Sequence, residues 1–342
     1  MNLTQEPIIE VKNIRRSFRS PQKGEGFKEA LKLLIAPRHK THEALKGISF
    51  SIESGSFIGL IGANGAGKTT LLKILSGLIP ATSGQARVLG QDPFQRTLGF
   101  RQKIALVMGQ KAQLWWDLPA TDAFDLLRAI YQIPDALYKE RLHALSELLD
   151  VKKHLGTQIR RLSLGERMKM ELIGALLHWP QIIYLDEPTI GLDVLAAYKL
   201  REFLKLFNEK EKATVILTSH NMEDIERLCS RVLILKSGEL VYDGAPGGLT
   251  REGECRLRVQ LLETPPPEKL AQVTKLDPKV IEVKANGDTD SAGGEGLSVY
   301  FTVKQSQIVS LLAELMKQYQ IVNMGIEEPS LESVIQRLYG EA

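Results

Sequence analysis

The chain has 342 residues, with 44 Lys and Arg against 41 Asp and Glu and a formal net charge of +3. That near balance leaves no global basic footprint for nucleic acid. The length suits two domains or one large one with a sizeable core. Two cysteines, Cys229 and Cys255, match neither a metal spacing nor a disulfide framework, which fits a reducing cytoplasm. The opening run MNLTQEPIIEVKN lacks an apolar signal core, and no stretch reaches about 18 uninterrupted apolar residues, so no membrane span is expected.

In chain order, Ile8–Ile14 reads as a strand and Ile48–Ile52 as another. Between Phe18 and Ala44 lies an insertion, at about residues 19–43. In it Phe27, Ala30, Leu31, Leu34 and Ile35 recur at helical spacing. From Arg15 to Lys46 the sequence has nine Lys or Arg against three Glu. A basic amphipathic helix suits a membrane surface or a partner helix; a solvated basic face packed on its own domain fits the pattern equally well.

The apolar strand Phe57–Ile61 leads into GANGAGKTT, Gly62 to Thr70, and a helix is expected over Thr69–Ser76. This fills the phosphate-loop template G-x-x-x-x-G-K-[ST] in its required strand–loop–helix context. The glycines let the backbone wrap closely, so that its N–H groups and the positive end of the helix face an anion. Lys68 is expected to reach the β- and γ-phosphates, and the Thr69 hydroxyl to hold Mg²⁺.

Ile104–Met108, Ile182–Leu185, Val215–Thr218 and Val232–Leu235 read as buried strands of a mainly parallel sheet. Helical patterns fall at Ala120–Ile133, Asp135–Leu149, Leu164–His178, Leu195–Asn208 and Met222–Cys229. The alternation argues an α/β fold. Two successive helices between Ala120 and Leu149 suggest an inserted helical subdomain, at about residues 111–178. Asp243–Gly253 reads as a linker. Beyond it, strands at Arg256–Leu262, Val280–Lys284, Leu297–Val303 and Ile321–Ile326, helices at Gln305–Tyr319 and Leu331–Tyr339, and a polar hairpin tip at Ala285–Gly296 make a small α+β module. The domains are therefore expected at residues 1–245 and 254–342, and the C-terminal one carries no catalytic pattern.

Four further motifs carry chemistry. The strand Ile182–Leu185 ends in Asp186 and Glu187, which puts two carboxylates at one strand tip. One can hold Mg²⁺ through water, and the other can orient or deprotonate an attacking water. Leu162-Ser-Leu-Gly-Glu166 opens a helix, with Ser163 and Gly165 free to offer a hydroxyl and backbone N–H groups to phosphate. Gln110 follows one strand and His220 another. Each alone is weak, because a lone Gln or His after a strand is usually loop polarity.

Together the phosphate loop, Gln110, LSLGE, LDEPTIGLD from Leu185 to Asp193, and His220 resemble the nucleotide-binding subunit of an ABC (ATP-binding cassette) transporter. The resemblance covers about residues 8–245. It implies a P-loop NTPase cassette with a mainly parallel sheet core, an antiparallel β subdomain and a helical subdomain. It also implies ATP with Mg²⁺ as cofactors, and ATP hydrolysis.

By the same resemblance, Gly62, Asn64, Gly65, Ala66, Gly67, Lys68, Thr69 and Thr70 wrap the phosphates, while Thr69, Asp186 and Gln110 contact the metal. Glu187 is the general base, and His220 touches the γ-phosphate. Phe18 is the candidate for stacking on adenine, with packing under the insertion as its alternative. Ser163, Gly165 and Glu166 face ATP bound to a second subunit, and Asp193 lies in the loop that crosses to it. The active unit is then a head-to-tail pair, with a homodimer the simplest form, working on multi-spanning membrane permease subunits at the cytoplasmic face. No nucleic-acid partner is expected.

The signature departs from the family's usual LSGGQ at Leu164 and Glu166. The LWWDLP segment, the basic insertion and the C-terminal module resemble the bacterial exporter branch. Trp115 and Trp116 are expected to be ordinary core, with a partner-facing groove as the alternative. A soluble ABC protein acting on ribosomes or DNA is the competing reading, weighed down by the single cassette, the lack of heptad runs and too few cysteines for zinc.

Overall fold

The computed structural model describes residues 6–21, 39–109, 112–249, 254–285 and 297–327. The stripe Phe27–Ile35, Gln110, the expected helix Leu331–Tyr339 and nearly all of the tip Ala285–Gly296 lie outside them. The chain divides into two compact units, Met1–Pro246 and Gly247–Ala342.

The centre of the first unit is a six-stranded sheet in the order β5-β6-β7-β3-β8-β9. Its members are β3 (Phe57–Gly62), β5 (Ile104–Met108), β6 (Ile182–Asp186), β7 (Thr214–Thr218), β8 (Arg231–Lys236) and β9 (Glu239–Gly244). All are parallel except β9, which pairs antiparallel with β8 at the edge. Strand β3 is buried along its whole length, as continuous apolar runs require when both faces are covered. Parallel pairing brings the carboxyl ends of β3, β5, β6 and β7 to one rim: Asp186 lies opposite both Met108 and Thr218, and Thr218 opposite Leu60.

An antiparallel sheet of β2-β1-β4 joins β1 (Ile9–Pro21), β2 (His39–Ile52) and β4 (Ser83–Val88). Strand β1 runs to Pro21 instead of Ile14, and β2 starts at His39 instead of Ile48. The polar arms Arg15–Pro21 and His39–Lys46 are held by cross-strand pairing, which hydropathy does not register. Strand β4, almost wholly exposed, and β9, buried on alternate residues only, were not expected. Asp243 belongs to β9 and not to a linker, because it receives both Arg231 Nε (2.6 Å) and Nη2 (2.7 Å).

Helix α1 (Lys68–Leu75) follows the phosphate loop, and the short α2 (Leu98–Arg101) precedes β5. Then come α3 (Ala120–Tyr131), α4 (Asp135–Leu148) and α5 (Leu164–Leu176), the helical subdomain, in which α3 and α4 both pack on α5. Helices α6 (Val194–Glu211) and α7 (Met222–Leu228) flank β7. Tyr184, fully buried on β6, donates its hydroxyl to Leu75 O at 3.3 Å and so ties α1 to the sheet.

The second unit runs β10 (Glu254–Leu261), α8 (Pro267–Thr274), β11 (Ile281–Ala285), β12 (Leu297–Lys304), α9 (Ile308–Gln318), β13 (Ile321–Glu327), with strand order β11-β12-β10-β13. This βαββαβ order is the ferredoxin-like split arrangement. Leu257, Val259, Val299 and Phe301 form its core with Leu270 of α8 and Leu311 and Leu315 of α9. Helix α8 was not expected; it buries only Leu270 and Ala271, too short a stripe to read as a period.

Candidate active site

The phosphate loop begins where β3 ends. A Cβ on Gly62 would lie 2.8 Å from Leu235 O, and one on Gly67 would lie 2.6 Å from Ala44 O. Gly67, with φ 108, is the N-cap of α1. Only glycine satisfies both the space and the left-handed backbone there. Lys68 is buried and donates its ammonium to Gly62 O (2.6 Å) and Ala63 O (3.3 Å), folded against its own loop. Burial lowers its pKa, and the charges of Glu187 and Asp186 oppose that shift. The first turn of α1 contains no acidic residue.

Asp186, the last residue of β6, accepts from Thr69 Oγ1 at 2.9 Å and from Thr218 Oγ1 at 2.7 Å. Glu187 follows with φ 56, a left-handed conformation that a non-glycine residue rarely adopts. Its N–H donates to Thr218 O (3.1 Å) and Thr218 Oγ1 (3.0 Å). Its carboxylate meets His220 Nε2 at 2.8 Å. Gly109, at the end of β5, donates to Asp186 O at 2.8 Å, and a Cβ there would lie 2.1 Å from Glu187 O. Lys68, Thr69, Asp186, Glu187 and His220 thus converge on the rim. Gln110, next to Gly109, is outside the described residues. An open cleft of about 410 Å³ lies beside Glu187 and His220.

Asp224 organises the loops around that pair. Fully buried on α7, it accepts from Thr189 Oγ1 (2.6 Å), Ser219 Oγ (2.6 Å) and Arg201 Nη1 (2.8 Å). It therefore ties the loop after Glu187 to the loop bearing His220. Sequence reading missed Asp224, Arg201, Thr218 and Gly109. A buried acid inside TSHNMEDI resembles a helix-surface residue until its partner on α6 is seen. Asp193 caps α6, accepting from Ala196 N at 2.8 Å.

The signature turn opens α5 with a full capping box. Ser163 Oγ donates to Glu166 Oε2 at 2.8 Å, Ser163 N donates to the same oxygen at 2.9 Å, and Glu166 N donates back to Ser163 Oγ at 3.3 Å. The Ser163 hydroxyl, expected to be free, is therefore engaged. Glu166 Oε1 meets His154 Nε2 at 2.9 Å. The bonds from Ser163 hold the Glu166 carboxyl below its usual range, with His154 and Lys153 adding to the effect. Leu164, which stands where the usual signature has Gly, covers Gly191: a Cβ on Gly191 (φ +72) would lie 2.5 Å from Leu164 Cδ2.

Phe18 is half-exposed on β1 opposite His42, with the Arg16 guanidinium 4.6 Å from its ring centroid. Two residues along β2 from His42 stands Ala44, whose carbonyl abuts Gly67.

A family model described as "ABC transporter" matches residues 45–190. The ABC transporter ATP-binding protein NatA of Bacillus subtilis is 32% identical over 61% of this chain and 84% of its own length. The Nod factor export ATP-binding protein I of Rhizobium leguminosarum bv. viciae is 30% identical over 86% of this chain and 89% of its own. This chain belongs to the ABC transporter ATP-binding proteins. A solved dimeric bacterial ABC transporter cassette superposes with a TM-score of 0.58 at 25% identity, over 69% of this chain and 98% of that one. The subunit binds ATP and is an ATPase, and its fold is the P-loop ABC cassette.

In this ABC subunit the tryptophan pair is not core. Trp115 and Trp116 are 44% and 51% exposed. Their segment is pinned from behind: buried Glu171 of α5 accepts from Gln113 N (2.9 Å) and Leu114 N (3.2 Å), and Arg160 N donates to Trp116 O (3.0 Å). Burial raises the Glu171 pKa despite those two donors. A further apolar surface stands at the starts of α5 and α6, where Val194 (84%) and Leu195 (64%) are exposed beside Leu164, Ile190 and Tyr198. Among the described residues no helix is long and apolar enough to cross a membrane.

Proposed function

We propose that this subunit drives an exporter through ATP-dependent closure of a head-to-tail pair, each nucleotide held between the phosphate loop of one copy and the signature turn of the other. The observation that carries the reading is the Asp186–Glu187 tip, tied at once to Thr69 and to His220. In this reading Gly62–Thr70 wraps the phosphates, Lys68 turns from its carbonyl partners to the β- and γ-phosphates, and Phe18 stacks on adenine. Glu187 takes the proton of the attacking water, oriented by His220, which also senses the γ-phosphate. Positioning and charge stabilisation supply most of the rate, as expected for phosphoryl transfer.

The hydroxyl and carboxylate at Thr69 and Asp186 are hard oxygen donors of the kind Mg²⁺ takes beside substrate phosphates, and Gln110 is the third expected contact. Bound there, the ion would neutralise charge developing on the phosphate oxygens. Ser163, Gly165 and Glu166 face the nucleotide of the second copy, and Asp193 lies at the crossing loop. The exposed Leu164, Ile190, Val194, Leu195 and Tyr198 support burial against that copy, and the dimeric relative supports the pairing. The domains act as a cassette, residues 1–245, and an accessory C-terminal module, residues 254–342.

Exposed Trp115 and Trp116, anchored through Glu171 to α5, support a contact with multi-spanning permease subunits, because rigid aromatics suit such anchors. The chain would then sit peripherally on the cytoplasmic face of the membrane. Export is supported by the Nod factor export relative.

Glu187→Gln with MgATP should give a stable closed pair by light scattering and at least about a hundredfold less turnover. A variant that stays monomeric at saturating MgATP would overturn the pairing. Affinity capture from solubilised membranes should return multi-spanning proteins in fixed ratio; recovery of ribosomal or DNA-bound proteins instead would overturn transport.

A further inference from the structure

The start of α5 carries a charge that phosphate binding by itself would not choose. Glu166 lies in the first turn, where a carboxylate favours the helix through its dipole but would repel a polyphosphate. It also takes the one proton Ser163 has to give, at 2.8 Å. A phosphate oxygen accepts and does not donate, so it competes with Glu166 for that proton. Glu166 in turn is gripped from its other oxygen by His154 Nε2 at 2.9 Å. His154 sits in the 3₁₀ turn Lys152–His154 after α4, and is partly buried, as is Glu166.

We infer that His154 is a positioning residue for the signature turn: by binding Glu166 through its other oxygen it releases the Ser163 hydroxyl to donate to phosphate. This rests on the reading that Ser163 faces the nucleotide of the second copy. The groups acting on Glu166 are Ser163 at the helix start, His154, and Lys153 from the same turn as His154. Lys169, one turn further along α5, feels Glu166 together with Asp150, Asp193 and Lys199. Lys199 pairs with Asp150 at 3.5 Å. Of the basic groups that act on Glu166, His154 is the one in direct contact with its carboxylate, at 2.9 Å. The Glu in place of the usual Gln and the His on the preceding turn are then one device.

The test uses the full subunit in a Glu187→Gln background, reading the MgATP concentration needed for half-maximal pairing by light scattering. Adding His154→Ala should raise that concentration about tenfold, the effect of one uncompensated nearby charge in a partly wetted site. Adding Glu166→Gln as well should restore it, because an amide keeps the capping box but holds the Ser163 proton less tightly. A His154→Ala variant with unchanged melting temperature that Glu166→Gln does not rescue would overturn the inference. A Ser163→Arg variant that still pairs normally would instead overturn the underlying reading of the signature turn.

Discussion

Helices α1 and α5 both begin at a turn expected to meet phosphate, yet they are prepared in opposite ways. At α1 the cap is Gly67, which has no side chain to offer, no acid stands in the first turn, and a lysine opens the helix. At α5 the cap is Ser163, the first turn carries Glu166, and a reciprocal capping box fills the helix end. The first end is kept vacant for an anion by backbone geometry. The other is satisfied internally and must exchange a bond to take one. A helix N-terminus is thus an anion site only to the extent that its own chain leaves it unfilled.

The comparison breaks most visibly at α1. Lys68→Ala should abolish detectable turnover, a loss of about a thousandfold or more if its charge turns to the phosphates as proposed. Full activity in a folded variant would end the phosphate-loop assignment. Gly67→Ala should cost about 2–3 kcal/mol of stability and weaken ATP binding, because the new Cβ meets Ala44 O and the backbone is left-handed. Calorimetry and nucleotide titration check both effects.

At α5 the counterpart change is milder. Ser163→Ala should lower stability by about 1 kcal/mol, the usual worth of a helix cap, while lowering turnover through loss of the proposed phosphate donor. Equal stability with lost turnover would mean the capping box is dispensable. The smallest effect is in pH. Glu166 has a depressed carboxyl pKa, so its capping contributes stability above the ordinary value of 4.5, and that stability is lost as pH falls through the depressed value. Ser163→Ala should flatten this acid-side slope in thermal melts, whereas Lys68→Ala should leave it intact.

Much of the candidate site was legible, since each of its groups follows a strand or opens a helix at a recognisable spacing. Phosphate loop, Asp186–Glu187, Ser163 and His220 are local patterns, and parallel pairing brings most of them together. Asp224 was not legible, because its importance lies in Thr189, Ser219 and Arg201 arriving from other elements. Trp115 and Trp116 were misread as core, since hydrophobicity does not report which side of a segment is pinned; Glu171, 55 residues or more along the chain, does the pinning. Strands β4 and β9 escaped notice because edge strands bury too little to leave a period.

By itself, then, the sequence determined the nucleotide chemistry, the α/β order of the cassette and the helix starts, all of which depend on residues near one another in the chain. Only the tertiary structure decided that His154 holds Glu166 and that Asp224 locks two loops to one buried arginine. Those are contacts between groups far apart in sequence or on different elements, and side-chain reach and burial, not spacing, select them.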